Sequence, residues 1–443
     1  MKLIRSLYLN NRFFILSSAL AVLFILTFVL DTGFVVPQVC FYVFLAVILT
    51  DGLMLFRVKR GMNGHRLAPD RLSNGDENEI KIHLENFYSF NTSLRIFDEL
   101  PHQFQRRDLK FKIQMTPGEN KVITYQLRPV KRGEYSFGAV NVLVCSPLQI
   151  LSRRFRFSSD KTVPVYPSYL QMRKYELLAI SNRITDIGIK KIRKIGQNQE
   201  FELIKEYVSG DDIRTVNWKA TARKSRLMVN QYQDERSQQV YSLIDKGRVM
   251  QMPFNGLSLL DYAINACLVI SNIAVKKFDK AGLITFQDKI GTMLPASRKN
   301  NQMMVIQETL YHQKTAFRES DFSRLHVHIR SKINQRSLLL LFTNFESLFA
   351  MERQLPYLKS LSQRHLLVVI FFENTEMKSL LEEPAHSVKE IYYKAIAEKF
   401  VYDKKLIVKE LNRNGIQTIL TSPEQLTINT INKYLELKAR GLI

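Results

Sequence analysis

The chain has 443 residues, of which 46% are hydrophobic, so it is long enough for two or three domains and too apolar to be mostly disordered. Its three cysteines, Cys40, Cys145 and Cys267, lie far apart and form no Cys/His cluster, which argues against a disulfide framework or a zinc site. The net charge of +23 favours anionic partners, but without a zinc-finger, RNA-recognition or basic-zipper motif we do not expect nucleic-acid binding.

Two uncharged apolar runs lie near the amino terminus. They are "FFILSSALAVLFILTFVL", from Phe13 to Leu30, and "FVVPQVCFYVFLAVILT", from Phe34 to Thr50, which can extend to Phe56. At about 1.5 Å of rise per residue, helices of this length nearly cross a hydrocarbon core of about 30 Å. A signal peptide is the alternative, but the second run and the lack of a small-residue cleavage site argue against it. We therefore predict a transmembrane helical hairpin in residues 1–60.

Basic residues flank both apolar runs, whereas the connecting turn carries only Asp31. The flanking cations are Lys2, Arg5, Arg12, Arg57, Lys59, Arg60 and Arg66. The positive-inside rule then places both termini, and all of residues 57–443, in the cytoplasm. Because we expect no buried ionisable residue in either span, the hairpin is predicted to be an anchor rather than a transport path.

Residues 61–168 show the alternation of apolar and polar side chains that is typical of half-buried strands. Ile80, Ile82 and Leu84 share one face of such a strand, and the stretch Val140–Cys145 repeats the pattern. Gly and Pro turns separate these runs, which predicts a small antiparallel β-sandwich. This segment has no cluster of catalytic residue types, so we expect it to bind proteins or act as a spacer.

Residues 169–235 are predicted to be a linker, and they contain "EYVSGDDIRTVNWKATARKSRLMV", from Glu206 to Val229. Gly210 allows a turn with positive φ. Asp211 and Asp212 follow at that turn, where aspartate side chains can bond backbone N–H groups. Upstream, the basic run Lys190–Lys194 is either a solvated loop or a contact for lipid headgroups or an acidic partner.

The same stretch holds the only tryptophan of the chain, Trp218, which we expect to be buried against the edge of the following sheet. Arg214 and Arg223 can form bidentate pairs with the neighbouring carboxylates. Three interpretations remain open: a charge network that clamps the linker, an exposed surface that recognises a protein partner, or acid/base or metal chemistry by the paired carboxylates. No His or Cys, and no evident nucleophilic Ser, supports the third interpretation.

Residues 236–443 alternate apolar strands with helical patterns, which predicts a parallel sheet covered by helices on both faces. The predicted strands are Val240–Asp245, Ala281–Phe286, Ser337–Phe342, Leu366–Phe372 and Ile416–Leu420. Asp321 is a candidate helix N-cap and Asn414-Gly415 a candidate C-cap. Ligands of such sheets bind beyond the carboxyl ends of the strands, which points to Asp245 and the loop after it.

This strand–helix order, with an Asp closing the first strand, resembles a von Willebrand factor A domain, a Rossmann-type α/β fold. In that family the loop reads Asp-x-Ser-x-Ser and helps to hold Mg²⁺, an ion that prefers hard oxygen ligands. Asp245 matches the pattern, but Gly247 and Val249 stand at the serine positions, and Asn344 stands where a later Asp belongs. The resemblance therefore implies a degenerate site. We expect no cofactor, with Mg²⁺ at Asp245 as the alternative.

The stretch from Gly196 to Val229 resembles the hallmark of the domain-of-unknown-function 58 family. The residues that match the hallmark are Glu200, Phe201, Glu206, Tyr207, Gly210, Asp211, Arg214, Trp218, Ala222 and Arg223. Upstream, "PVKRGEYSFG", "SPLQI" and "VPVYP" also resemble that family. The resemblance implies a membrane-tethered bacterial protein encoded near MoxR-type AAA+ ATPases and other A-domain proteins. Its implied role is in assembling or maturing protein complexes, and no reaction is established for the family.

Together these patterns predict a two-pass protein of the bacterial inner membrane with both termini in the cytoplasm. Its cytoplasmic part is expected to contain the sandwich, the linker and the A-like α/β domain. The expected function is that of a non-enzymatic adaptor that works with a MoxR-type AAA+ ATPase. The alternative is a divalent-metal-dependent domain that recognises a partner carboxylate through Asp245.

Overall fold

The computed structural model describes residues 6–31, 33–106, 109–158, 160–180, 200–209, 211, 213–233, 237–315, 317–382, 384–385 and 387–442. The chain folds into two compact units, residues 1–166 and 167–443. The predicted hairpin and nearly all of the predicted sandwich therefore fall within the first unit. The predicted linker and the α/β segment both fall within the second.

Two apolar helices open the first unit, α1 (Asn11–Val29) and α2 (Val35–Phe56). Both are long and apolar enough to cross a membrane, with a mean hydropathy of 2.3 in each. A third helix in the described part of the chain, Leu259–Lys276, also meets these criteria, but 78% of it is buried inside the protein. Only the first two are therefore candidates for spanning a membrane.

Eleven strands lie in the described part of the first unit. They are β1 (Leu7–Leu9), β2 (Met62–Leu67), β3 (Leu72–Ser73), β4 (Asn78–Asn86), β5 (Thr92–Asp98), β6 (Lys110–Met115), β7 (Asn120–Leu127), β8 (Gly133–Phe137), β9 (Val140–Cys145), β10 (Leu151–Phe157) and β11 (Lys161–Tyr166). They form sheets of order β1-β10-β9-β5-β6, β2-β4-β7 and β3-β11-β8. All pairs are antiparallel except β3 with β11.

The core of these sheets follows the alternation in the sequence. Ile80, Ile82 and Leu84 are buried on one face of β4, which confirms the predicted face. The valines of β9 are buried in the same cluster, together with Leu55 of α2. The core of the strands therefore includes the carboxyl end of the second apolar helix.

Hydrogen bonds fasten the start of α1 to the strands. Asn10 precedes this helix, and its Nδ2 donates to the Gln149 carbonyl at 3.1 Å. Its Oδ1 accepts from the Ser152 hydroxyl at 2.6 Å and from Arg95. The preceding strand β1 pairs with β10, so the chain enters the first helix from a sheet.

The end of α2 is held in the same way. Arg153 Nη1 donates to the carbonyls of Leu55 and Val58 at 2.8 and 2.7 Å, which satisfies carbonyl groups at the end of the helix. Asp51 is fully buried, and its Oδ2 accepts from the Leu151 amide at 2.8 Å. The expectation of no buried ionisable residue was wrong here, because α2 continues to Phe56 and uses Asp51 to join the sandwich.

Within its described residues, the second unit contains nine helices of seven or more residues and ten strands. The helices with seven or more residues are α3 (Tyr169–Ile180), α4 (Trp218–Lys224), α5 (Leu259–Lys276), α6 (Gln302–Tyr311), α7 (Phe322–Lys332), α8 (Leu348–Arg364), α9 (Thr375–Glu382), α10 (Val388–Arg413) and α11 (Leu426–Ala439). The strands are β12 (Glu200–Glu206), β13 (Met228–Gln233), β14 (Gln239–Asp245), β15 (Pro253–Phe254), β16 (Leu257–Ser258), β17 (Lys280–Phe286), β18 (Ile290–Ser297), β19 (Leu338–Phe342), β20 (Leu366–Phe372) and β21 (Gln417–Thr421).

The central sheet of this unit has six strands in the order β18-β17-β14-β19-β20-β21. Five are parallel, as predicted, and β18 is an antiparallel edge strand. Alternate residues of β14 belong to two cores, one shared with α5 and α11 and the other with α7, α8 and α10. The order reverses between β14 and β19, so a crevice is expected beyond the carboxyl ends of these two strands.

Several predicted local signals are present in this unit. The Asp321 side chain accepts from the Arg324 amide at 3.0 Å and caps α7. Gly415 has a φ of +75° directly after α10, as its C-cap position requires. However, α3 belongs to the α/β unit rather than to a linker, since its Glu176 forms an ion pair with Lys276 of α5 at 2.9 Å.

Removal of one partner of a buried ion pair in the sandwich should destabilise the protein. Arg66 and Asp98 have side chains with 1% and 0% exposure, and Tyr125 also donates to Asp98. Asp98→Ala would leave the Arg66 guanidinium buried without its counterion, so we expect a loss of about 3–5 kcal/mol in the free energy of unfolding. Urea unfolding of the full chain in detergent, followed by proteolysis of the sandwich, measures this loss.

Asp70→Ala is the matched control, because Asp70 pairs with Lys161 but is 95% exposed. This variant should unfold at the urea concentration of the unmodified protein. Equal midpoints for Asp98→Ala and Asp70→Ala would show that the buried pair does not stabilise the sandwich.

Candidate functional site

Asp245 ends β14 at the point where the strand order reverses, and its side chain is completely buried. Its Oδ1 accepts hydrogen bonds from the Ser320 hydroxyl and from the Gly247 amide, the latter at 2.8 Å. Its Oδ2 accepts from the Thr343 hydroxyl at 2.7 Å. These donors lie in the loop after β14, the loop before α7 and the loop after β19. We call Asp245, Gly247, Ser320 and Thr343 the switch-point site.

Burial is the largest influence on the titration of Asp245. It raises the pKa of this carboxyl above the ordinary value of 3.8, whereas the hydrogen bonds from Ser320, Thr343 and Gly247 lower it. Among the described residues, neutral hydroxyl and amide donors rather than a cation hold the carboxylate. The neighbouring Lys246 has its own pKa lowered by burial, with Asp288 opposing that shift.

The switch-point site does not fit the magnesium pattern of an A domain. A Cβ atom on Gly247 would lie 2.2 Å from Ser320 Oγ and 3.0 Å from Asp245 Oδ1, so the Ser320 hydroxyl occupies the space of the missing serine. Asn344, at the position of the later Asp, accepts a hydrogen bond from Lys404 at 2.6 Å. In the described part of the chain, no three His, Cys, Asp or Glu side chains are grouped as metal ligands.

A cavity of about 80 Å³ borders Asp245. Arg248 on its wall lies 3.7 Å from Glu319 and 3.8 Å from Glu346, and Arg353 lies 3.8 Å from Glu319. All four side chains are more than half exposed, and pairs of this kind contribute only about 0–1 kcal/mol each. The cavity therefore presents charges of both signs that are available for contact with a partner.

The predicted linker contains a β-hairpin, residues 200–233, which we call the hallmark arm. β12 pairs antiparallel with β13, and α4 lies between them. Asn217 caps α4 by accepting from the Ala220 amide at 3.0 Å, and its Nδ2 donates to Asn230 at 2.8 Å. The Tyr207 amide donates to the Leu227 carbonyl at 2.8 Å and continues the hairpin. Strand pairing and a helix cap thus hold together the described part of the hallmark.

Trp218 is 70% exposed, so the prediction that it is buried was wrong. The residue begins α4 instead of passing a sheet edge, and its helix has no buried residue. Ile213 and Val208 of the same arm are also largely exposed. Apolar side chains that are exposed together in one segment often mark an interaction site.

The carboxylates of the hallmark arm form pairs that differ from those predicted. Asp211 lies 2.9 Å from Lys205, and Glu206 lies 2.8 Å from Arg226. The backbone hydrogen bond from Val208, followed by the bond from Lys205, holds the pKa of Asp211 below its ordinary value. The turn after β12 brings Asp211 back to Lys205, whereas the hairpin brings Arg226 to Glu206 from 20 residues away; neither basic residue was among those predicted to pair with these carboxylates.

The remaining hallmark residues are only partly accounted for. Arg223 and the nearby cations Lys219 and Lys224 are exposed. None of the three forms an ion pair with a described residue. Gly210, Asp212 and the run Lys190–Lys194 lie outside the described residues, and the side chain of Arg214 does too. The described part of the arm therefore combines an exposed indole with exposed cations.

Residues 204–381 match the family described as "Protein of unknown function DUF58". The uncharacterized protein YeaD of Bacillus subtilis (strain 168) is 25% identical over 231 residues, which cover 50% of this chain. The chain spans 57% of the length of that relative.

Solved structures show weaker likenesses. The conserved hypothetical protein BatB from Bacteroides thetaiotaomicron is 14% identical and matches 46% of this chain and 100% of its own, with a TM-score of 0.31. The CARDB domain of the PF1109 protein from Pyrococcus furiosus is 16% identical and matches 24% of this chain and 86% of its own, with a TM-score of 0.17.

The exposure of Trp218 predicts its fluorescence and its contribution to stability. Because it is the only tryptophan, emission from the full chain should resemble that of tryptophan in water and should be quenched by iodide. Trp218→Ala should change the free energy of unfolding by no more than about 0.5 kcal/mol, the range for surface substitutions. A blue-shifted emission that iodide does not quench would place the indole in a core instead.

The raised pKa of Asp245 predicts a pH-dependent contribution to stability. Between 3.8 and the folded-state pKa, the unfolded carboxyl loses its proton while the folded carboxyl keeps it, so folding stability falls as the pH rises through this window. Asp245→Asn removes this titration. The stability of the unmodified protein relative to Asp245→Asn should therefore decrease from pH 4 upward, as measured by urea unfolding across a pH series. A relative stability that rises with pH would contradict the raised pKa.

Proposed function

Because the chain belongs, through residues 204–381, to the family of proteins of unknown function called DUF58, we propose that it is a non-enzymatic adaptor anchored in the bacterial inner membrane. Both of its termini and its two folded units face the cytoplasm in this proposal. The adaptor works with a MoxR-type AAA+ ATPase, and with other A-domain proteins, in the assembly or maturation of protein complexes. Its second unit serves as a von Willebrand factor A-like interaction domain.

The exposed Trp218 is the observation that carries this proposal. Tryptophan and arginine are enriched among the residues that dominate binding energy at protein interfaces, and the hallmark arm presents both. Its exposed cations, Lys219, Arg223 and Lys224, favour an acidic partner surface. The clamp interpretation has less support, since an exposed indole does not hold the arm against a core.

The chemistry of the described residues also supports an interaction role. Burial of Cys267 raises the pKa of its thiol to about 11, which disfavours the nucleophilic thiolate. Asp211 is engaged by Lys205 and Val208, and its lowered pKa makes it a poor proton carrier near neutral pH. The order of the central sheet and the position of Asp245 support an A-like domain.

The metal-dependent alternative is less well supported. Both oxygens of Asp245 already accept hydrogen bonds, and the Ser320 hydroxyl fills the space beside Gly247. A cation at this site would have to displace these donors, and Gly247 and Val249, which stand at the two serine positions of the A-domain loop, offer it no side-chain oxygen. Recognition through the exposed arm requires no such rearrangement.

Crosslinking in native membranes tests the adaptor function. We expect a MoxR-type ATPase to be recovered with the full chain, and its recovery to fall about tenfold or more for Trp218→Ala, because loss of a hot-spot residue costs at least that much affinity. Quantitative mass spectrometry of the captured proteins measures both values. Raising the salt concentration during capture should also lower recovery, since the contact involves exposed cations.

Phe317→Ala is the matched control, because Phe317 is another exposed aromatic residue of the second unit and lies outside the hallmark arm. This control should recover as much ATPase as the unmodified chain. Equal recovery with Trp218→Ala would exclude the arm as the docking surface. Failure to capture any AAA+ ATPase with the unmodified chain would contradict the adaptor function itself.

A further inference from the structure

A second cavity, of about 180 Å³, lies at the carboxyl edge of the central sheet. Its wall includes Asn344 after β19, Phe372 at the end of β20, and Phe400 and Lys404 of α10. Open α/β sheets bind their ligands at this edge. Most of the remaining wall is apolar, and apolar cavities with a few converging polar groups are typical of small-ligand sites. We call this the Lys404 cavity.

Lys404 is the only basic residue among the described residues that line this cavity. Its Nζ donates to Asn344 Oδ1 and to the Phe345 carbonyl, each at 2.6 Å. Both acceptors are neutral, and no described carboxylate lies within ion-pair distance of Lys404, although the charge of Glu346 on the same wall favours the protonated ammonium. An ammonium group has three N–H donors, so these two bonds leave one donor for another acceptor. Burial lowers the pKa of Lys404 to about 8 because its positive charge is poorly solvated here.

Two carboxylates restrict which anion can enter. Glu346 lines the cavity, but its Oε2 lies 3.8 Å from Arg248, on the side of the switch-point site. Glu373 follows β20 and also lines the cavity. A ligand with one negative charge is attracted to the Lys404 ammonium, whereas a second negative charge on the ligand would be repelled by these carboxylates. The charge pattern therefore favours a monoanion over a dianion or a phosphate.

We propose that the Lys404 cavity binds a monocarboxylate that carries a compact apolar group. The carboxylate accepts a hydrogen bond from the third N–H of the Lys404 ammonium. The apolar group packs against Phe372, Phe400 and their neighbours. A carboxylate carries a single negative charge and accepts a strong hydrogen bond from an ammonium. The rest of such a ligand can be apolar. This binding activity is independent of the docking of an ATPase on the hallmark arm.

Calorimetric titration of the full chain in lipid nanodiscs tests the proposal with sodium hexanoate as the probe. Hexanoate should bind about tenfold or more tightly than 1-hexanol, since the alcohol has a similar apolar group and no charge. Adipate, which adds a second carboxylate to the same chain, should bind more weakly than hexanoate. Equal binding of hexanoate and 1-hexanol, or no binding of hexanoate, would overturn the proposal.

Lys404→Met keeps the length of the side chain and removes its charge. This variant should bind hexanoate about tenfold or more weakly than the unmodified chain, with little change for 1-hexanol. Lys405→Met is the matched control, because Lys405 is exposed on the same helix, and it should bind hexanoate normally. Unchanged hexanoate binding by a folded Lys404→Met variant would also overturn the proposal.

A measurement on the unmodified chain covers the case in which Lys404→Met fails to fold. Hexanoate should slow the acetylation of Lys404 by an amine-reactive reagent, as followed by peptide mass spectrometry, and should leave Lys405 unaffected. 1-Hexanol should protect Lys404 less. Acetylation of Lys404 at the same rate with and without hexanoate would contradict binding at the ammonium.

The natural carboxylate can belong to a free acid or to the last residue of a polypeptide. The peptide Gly-Gly-Leu and its carboxamide distinguish these sources. Tighter binding of Gly-Gly-Leu than of hexanoate, with loss of binding for the carboxamide, supports a polypeptide terminus. Binding of hexanoate without binding of Gly-Gly-Leu supports a free acid. Equal binding of the peptide and its carboxamide would show that the carboxylate is not recognised.

Discussion

Burial of the Asp245 carboxylate is the constraint on which the carboxyl edge of the second unit depends. A carboxylate removed from water needs hydrogen-bond donors, and Gly247, Ser320 and Thr343 supply them from three separate loops. Residues next to two of these donors, Glu319 and Asn344, line the cavities of this edge. The placement of both cavities therefore depends on a buried group whose two oxygens are both hydrogen-bonded by the protein.

The same constraint explains why a glycine stands at position 247 in the loop after β14. The Ser320 hydroxyl lies where the side chain of a residue larger than glycine at position 247 would begin. A serine at 247 and the present position of the Ser320 hydroxyl therefore exclude each other. Asp245 therefore takes its hydroxyl donors from two neighbouring loops, and both of its carboxylate oxygens are satisfied by protein donors.

Sequence periodicity predicted the core of the fold well, because continuous apolar strands such as Leu366–Phe372 have few other stable positions than the centre of a covered sheet. Sequence periodicity did not predict the exposure or the hydrogen-bond partners of residues that are set by tertiary contacts. The side chain of Trp218 is largely apolar, which favours burial, but the residue is exposed because it begins a helix in the hallmark arm. Ser320 and Thr343 are unremarkable in sequence and gain their role only when the loops meet Asp245. Asp51 was missed because its partner, the Leu151 amide, lies 100 residues away.

Buried polar groups join the two apolar helices of the first unit to its strands. Asn10 at the start of α1 and Asp51 near the end of α2 are buried, and each bonds the segment around Leu151. Arg153 of β10 holds the carbonyls at the end of α2. Buried polar groups are costly unless paired, so these bonds favour one arrangement of the helices on the strands. The hairpin and the strands are thus one hydrogen-bonded body, which suits an anchored adaptor better than a flexible tether would.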